Sequence, residues 1–105
     1  MRLNKKQRQE RKEMRDDFEM QGGILVFNPE AGYTIAACPA ARVEETSLRF
    51  VKVVIAQCDF IDDEFKREVG EYIALVRFYA GNTFSIRTHS IDDAILRVET
   101  MLDGI

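Results

Sequence analysis

Apolar residues along the chain change period several times, and each change marks an element. Leu48 to Cys58 is the densest apolar run and is rich in β-branched side chains: Val51, Val53, Val54 and Ile55. Such residues lose χ1 freedom in helices and pack well on a pleated surface. Leu48, Phe50, Val54, Ala56 and Cys58 fall on one face, and Val51, Val53 and Ile55 on the other. Both faces are apolar over most of the length, so the run predicts a central strand covered on both sides.

The period then becomes helical. Phe65, Val69, Tyr72, Ile73, Val76, Tyr79 and Ala80 make one stripe at 100° per residue. Asp62 or Asp63 suits the N-cap, Asp63 and Glu64 suit the positive end, and Gly81-Asn82 supplies a stop. The spacing predicts a helix from about Asp62 to Ala80. A competing reading ends the helix at Gly70 and pairs Glu71–Tyr79 as a strand with Thr83–Thr88.

Upstream, Ile24–Phe27 and Tyr33–Cys38 flank Asn28-Pro29-Glu30-Ala31-Gly32 and predict a hairpin. Pro39 is expected to stop the second strand. Residues 40–46 read as a loop or a single helical turn. Downstream, Thr83–Arg87 alternates as a short strand. Ser90 is an N-cap, and Ile91, Ala94, Ile95, Val98, Met101 and Leu102 form an amphipathic stripe that Gly104 ends.

Asn4 to Met20 contains strong helix formers with no glycine or proline. Met14 and Phe18 pair at i,i+4 and can dock the last turn; the first two turns have nothing apolar to bury. The order α-β-β-β-α-β-α predicts an α+β fold: a small antiparallel sheet of three to four strands packed with helices. Residues 1–20 read as a basic helix or arm, and residues 21–105 as a single domain.

Composition sharpens this picture where it is uneven. Residues 1–15 hold seven Lys/Arg and two Glu, a balance of +5, whereas the other residues carry −8. The basic arm (Arg2, Lys5, Lys6, Arg8, Arg11, Lys12 and Arg15) is a candidate for nucleic acid or an acidic partner. With no apolar run of about 18 residues and no apolar segment after the basic start, neither a membrane span nor a secretory leader is expected. If the strands holding Cys38 and Cys58 pair around the 39–46 loop, Cys38 lies near Ser47 and Cys58 at the far end. That separation predicts two free, buried thiols and a reducing, cytoplasmic setting.

Candidate chemistry is sparse. Asp59, Asp62, Asp63 and Glu64 could gather around Mg²⁺ or Ca²⁺, but they lack the glycine and distal glutamate of a calcium loop, and capping accounts for three of them. Cys58 and His89, the single histidine, are nucleophile and base by type, and nothing in the spacing joins them. The first five elements follow the order of double-stranded-RNA-binding domains. Those domains need a basic start to the last helix, where this chain has Asp62-Asp63-Glu64 against Lys66 and Arg67. No cofactor and no enzymatic activity are expected.

Two apolar residues leave the core stripes. Phe78 is about 140° from Phe65, and Leu96 about 140° from Ile91. Gly70 and Ala74 make a flat strip between the two faces of the middle helix. These four residues are the candidate protein-binding or self-association surface, unless a neighbouring helix covers them.

The pattern Phe65-x-Arg67-x-x-Gly70-x-x-x-Ala74-Leu75-x-Arg77 after a strand resembles small uncharacterised accessory proteins of tailed phages. It spans about the central third of the chain. The resemblance implies a viral accessory factor that binds, and modulates or inhibits, a host protein in the host cytoplasm. It assigns no site residue.

Overall fold

The computed structural model describes residues 2–42, 48–57 and 67–104. Among them the order is α1 (Lys5–Met20), β1 (Ile24–Asn28), β2 (Tyr33–Arg42), β3 (Arg49–Gln57), α2 (Arg67–Tyr79), β4 (Phe84–Thr88) and α3 (Ile91–Asp103). The four strands form one antiparallel sheet in the order β1-β2-β3-β4, so the fold is α+β. The segment 71–79 is helix. The expected start of that helix near Asp62 lies outside the described residues.

Strand alternation decides which helix each side chain meets. Tyr33, Ile35 and Ala37 of β2 and Val51 and Val53 of β3 pack with Ala94, Ile95 and Val98 of α3. On the opposite face Ala36, Cys38, Val54 and Ala56 pack with Ala74 and Leu75 of α2 and with Phe18 of α1. From Val53 to Ala56 the strand at the centre of the chain is covered on both sides, as its two apolar faces predict, whereas Phe50 and Lys52 nearer its start are exposed on the α2 side.

Pro39 does not stop β2. The strand runs on to Arg42, with a register shift between Pro39 and Ala41. Proline is tolerated at such an irregularity, and Pro39 lies beyond the last β1 pair, Ile24 with Ala37. The longer strand shortens the connection to β3, so Cys38 sits opposite Lys52 and not near Ser47. Cys38 is free and buried; Cys58 lies outside the described residues.

The N-terminal helix is anchored along more of its length than its sparse apolar residues suggest. Asn4 and Gln7 form a reciprocal capping box, with Oδ1 of Asn4 accepting from the Gln7 amide at 2.8 Å and Oε1 of Gln7 from the Asn4 amide at 2.9 Å. Leu3 is buried. At the other end Gly22 takes φ 86°, and the amides of Gly22 and Gly23 donate to Glu19 and Phe18 carbonyls at 3.0 and 2.9 Å. This Schellman turn directs the chain straight into β1. Gly23 must also lack a Cβ, which would stand 2.4 Å from the Phe18 ring.

The buried face of α2 is rotated from the expected stripe. Val69, Gly70, Glu71, Ala74 and Leu75 are buried, whereas Val76 and Tyr79 are exposed. The cause is that α2 lies on β2 and β3 with α1 along its other side, so two of its faces are occupied. Phe18 is 0% exposed and meets the half-buried Phe78 edge to face at 5.0 Å. Truncating Phe18 to alanine should therefore cost about 3–5 kcal/mol in urea unfolding, as large core deletions do. Phe78→Ala should cost less, because its ring keeps contact with water. Equal costs would mean that α1 does not seal this core.

Candidate functional site

Three surfaces carry unusual side chains, and their chemistry differs. The seam between α1 and α2 is polar and charged. Glu71 is buried, and its Oε1 takes Nη1 of Arg11 at 3.3 Å and Nη1 of Arg15 at 3.5 Å. Arg8 pairs with Glu68 at 3.7 Å. The Tyr72 hydroxyl donates to Glu10 at 3.0 Å, and the Tyr79 hydroxyl to Asp17. Three of the seven basic residues expected to form a free arm are thus committed to α2. Arg2, Lys5, Lys6 and Lys12 remain exposed.

Beside this seam is a pocket of about 300 Å³ against β1, lined by Arg15, Glu19, Arg67 and Glu71 among others. Arg67 stacks over the Phe27 ring, 5.4 Å from its centroid. The Arg15 guanidinium is held above its ordinary range by its hydrogen bond to Glu19 and by Glu71. The pocket's two arginines and two glutamates offset one another.

The third surface is at the opposite side of the sheet. β4 is an outer strand, and among the described residues nothing pairs along its free side. Phe84 and Ile86 project to the α3 face and, with Arg97, Val98 and Met101, line an apolar groove of about 270 Å³. Phe84 is 41% exposed and Met101 53%. The Arg97 guanidinium holds the groove's rim: Nη1 donates to the Arg87 carbonyl at 3.0 Å, and Nε lies 3.7 Å from Asp93. Asp93 is also tied to the Thr88 hydroxyl, and its amide donates to Oγ of Ser90, the N-cap of α3.

The sequence-derived candidates separate on this map. Gly70 and Ala74 are buried and form no exposed strip, because that face of α2 lies on the sheet. Phe78 is covered by Phe18 of α1. Leu96 is 62% exposed on the outer face of α3, away from the core. Phe84 belongs to a strand and Met101 to the expected core stripe of α3; their exposure follows from β4 being last in the sheet, which strand alternation alone does not reveal. His89 is exposed between β4 and α3. Cys58, Asp59, Asp62, Asp63, Glu64 and Lys66 lie outside the described residues. Among the described residues no group of three or more His, Cys, Asp or Glu is placed to hold a metal. No described helix is long and apolar enough to cross a membrane.

No protein-family model, curated protein or solved structure matches the chain.

Two titrating groups test this geometry. Burial pushes the Cys38 thiol up, against the opposing pull of Lys52, and its Sγ lies 3.9 Å from the Gln21 carbonyl. In a Cys58→Ser background, Cys38 should react slowly with a thiol reagent until denaturant is added; fast native labelling would contradict its burial. The Tyr79 hydroxyl is pushed well above the usual phenol range, through loss of water and through Asp17. Its folded pKa exceeds the unfolded value of about 10, so its contribution is whole below that pH and is lost as pH rises further. Thermal melts from neutral pH to above about pH 10 should show a steeper alkaline loss in wild type than in Tyr79→Phe.

Proposed function

We propose that this protein is a non-enzymatic binding module for another protein, and that it binds through the β4–α3 side. The observation that carries this reading is the outer strand β4 running beside exposed Phe84 and Met101. A strand edge is a template for another chain, and proteins that do not use an edge commonly guard it. An apolar groove alongside supplies what edge hydrogen bonds lack, namely discrimination among side chains. Leu96 is exposed on the outer face of α3, turned away from this groove, and forms no part of it. The likeness of residues 65–77 to tailed-phage accessory proteins suggests one setting, a viral factor that modulates a host protein.

A nucleic-acid role through the N-terminal helix is the second reading, supported by the exposed Arg2, Lys5, Lys6 and Lys12. It loses force because Arg8, Arg11 and Arg15 are engaged by Glu68 and Glu71.

Capture from an extract of the source cells distinguishes the two. Proteins retained by wild type should be released when Phe84 or Met101 is changed to aspartate, with Leu96→Asp as a probe of the outer face. Lys5→Glu with Lys6→Glu should leave that capture unchanged. If the aspartate variants retain everything that wild type retains while binding to DNA or RNA falls steeply with salt and with the lysine changes, the nucleic-acid reading replaces this one.

A further inference from the structure

The two faces that meet at the β4 edge differ in chemistry, and a strand laid against that edge would meet both at once. On the α3 side the edge presents Phe84 and Ile86, backed by Met101. On the α2 side it presents Ser85 and Arg87, which pair in register with Lys52 and Phe50 of β3. Lys52, Ser85 and Arg87 are exposed, and Phe50 is partly so. Helix α2 lies over β1, β2 and β3, and among the described residues no helix packs on that side of β4.

We infer that β4 accepts an extended peptide segment in which apolar and acidic residues alternate. The inference rests on the protein-binding reading and specifies the partner's chemistry. An added strand puts successive side chains on opposite faces. Every second residue would enter the groove of Phe84, Ile86, Val98 and Met101. The residues between would lie beside Arg87. Lys52 is one strand further in, about two strand spacings or roughly 10 Å away. Its neighbour across the register is Ser85, too short to block a lysine side chain reaching over β4.

Charge around the edge agrees. The chain as a whole is −3, but β4 has the sequence FSIRT and bears a single positive charge. Asp92, Glu99 and Asp103 of α3 are on the helical flank turned away from the groove, at the 3.6-residue period. Asp93 is held by Thr88 and Arg97. Arg97 itself occupies the Arg87 carbonyl, the kind of acceptor that a partner strand's amide would use. Displaced by that amide, its guanidinium keeps its ion pair with Asp93 on the α3 side, clear of the face that would carry the acidic residues. A second copy of the chain fits less well. Its β4 would bring another Arg87 onto the face that already carries Lys52 and Arg87, and like charges across strands destabilise pairing.

The test uses the full-length protein and a fluorescent peptide, Glu-Ile-Glu-Val-Glu-Ile-Glu, followed by anisotropy. Binding is expected, and it should weaken by about tenfold or more in Arg87→Glu combined with Lys52→Glu, and as salt rises. The peptide with lysine in place of glutamate should not bind. A strand at an edge uses every second amide. Methylating one alternate set of peptide nitrogens should therefore abolish binding, while methylating the other set should leave it. Circular dichroism of each variant establishes that it is folded.

Equal binding of the lysine peptide, indifference to both methylation sets, or no binding of the acidic peptide would overturn the inference. So would a wild-type dimer, seen by sedimentation, that Phe84→Asp dissociates and the peptide does not. In each of these cases the capture experiment separates the two levels. If Phe84→Asp and Met101→Asp still release captured proteins, the protein-binding reading stands and the alternating acidic segment is wrong. If they release nothing, both fall.

Discussion

Strands β2 and β3 have to be buried from both sides at once, and the remaining elements are arranged to meet that requirement. Their ladder runs from Tyr33 opposite Gln57 to Arg42 opposite Arg49. Ile35, Ala37, Val51 and Val53 face α3, and Ala36, Cys38, Val54 and Ala56 face α2 and α1. Sliding one strand by a single residue would exchange those sets. The α2 side is the narrow one: its β2 and β3 side chains are mostly small, Ala36, Cys38 and Ala56 with Val54. Ala74 of α2 matches them, so the helix backbone can approach the sheet. The α3 side carries the larger Tyr33 and Ile35 against Ala94 and Val98. Mismatched layers would leave voids, which cost stability in proportion to their volume.

That close approach forces a polar solution elsewhere. With one face of α2 on the sheet and another against α1, Glu71 falls inside the seam. A lone buried carboxylate would be costly, and pairing offsets the cost only when the geometry is good and the remaining lone pairs are satisfied. Here two guanidiniums, Arg11 and Arg15, converge on the one oxygen Oε1. Four residues apart, they lie on one face of α1. The charged contact fixes the rotation of α1, and Phe18, one turn further on, then enters the core beside Phe78. A basic helix with little apolar surface is thus positioned mainly by where its charges are answered.

This explains what the sequence could and could not reveal. The hairpin of β1 and β2, the central strand and α3 announce themselves because their burial obeys one simple period. The end of α1 is legible in Gly22-Gly23, and the start of α3 in Ser90. The face of α2 is not, because beside Val69 and Leu75 its buried positions are a glycine, an alanine and a paired glutamate, which no apolar stripe picks out. Tyr72, Val76 and Tyr79 looked like core at that period. The two tyrosines instead turn their hydroxyls to Glu10 and Asp17 on α1, and Val76 is exposed. Pro39 misled for a similar reason: a stop residue in isolation becomes tolerable at a register shift beyond the end of the neighbouring strand. Phe84 and Met101 could not be found by period at all, since their exposure depends on which strand ends the sheet.

The sheet ends in two ways, and the contrast bears on function. Along β1 the side chains of Arg15, Glu19, Arg67 and Glu71 crowd the α2 side, with Arg67 stacked on Phe27. Charged groups there oppose the approach of an apolar strand. Along β4 the α2 side carries Arg87 and the α3 side is apolar, and among the described residues the edge is covered by Arg97, whose hydrogen bond to the Arg87 carbonyl is exposed and replaceable. Both outer strands are five residues long, so length does not protect one more than the other. If open edges were merely tolerated, the guarded and unguarded ends would carry similar chemistry. They differ in charge, in apolar exposure and in how readily their cover can be displaced, and it is on these differences that the proposed binding at β4 rests.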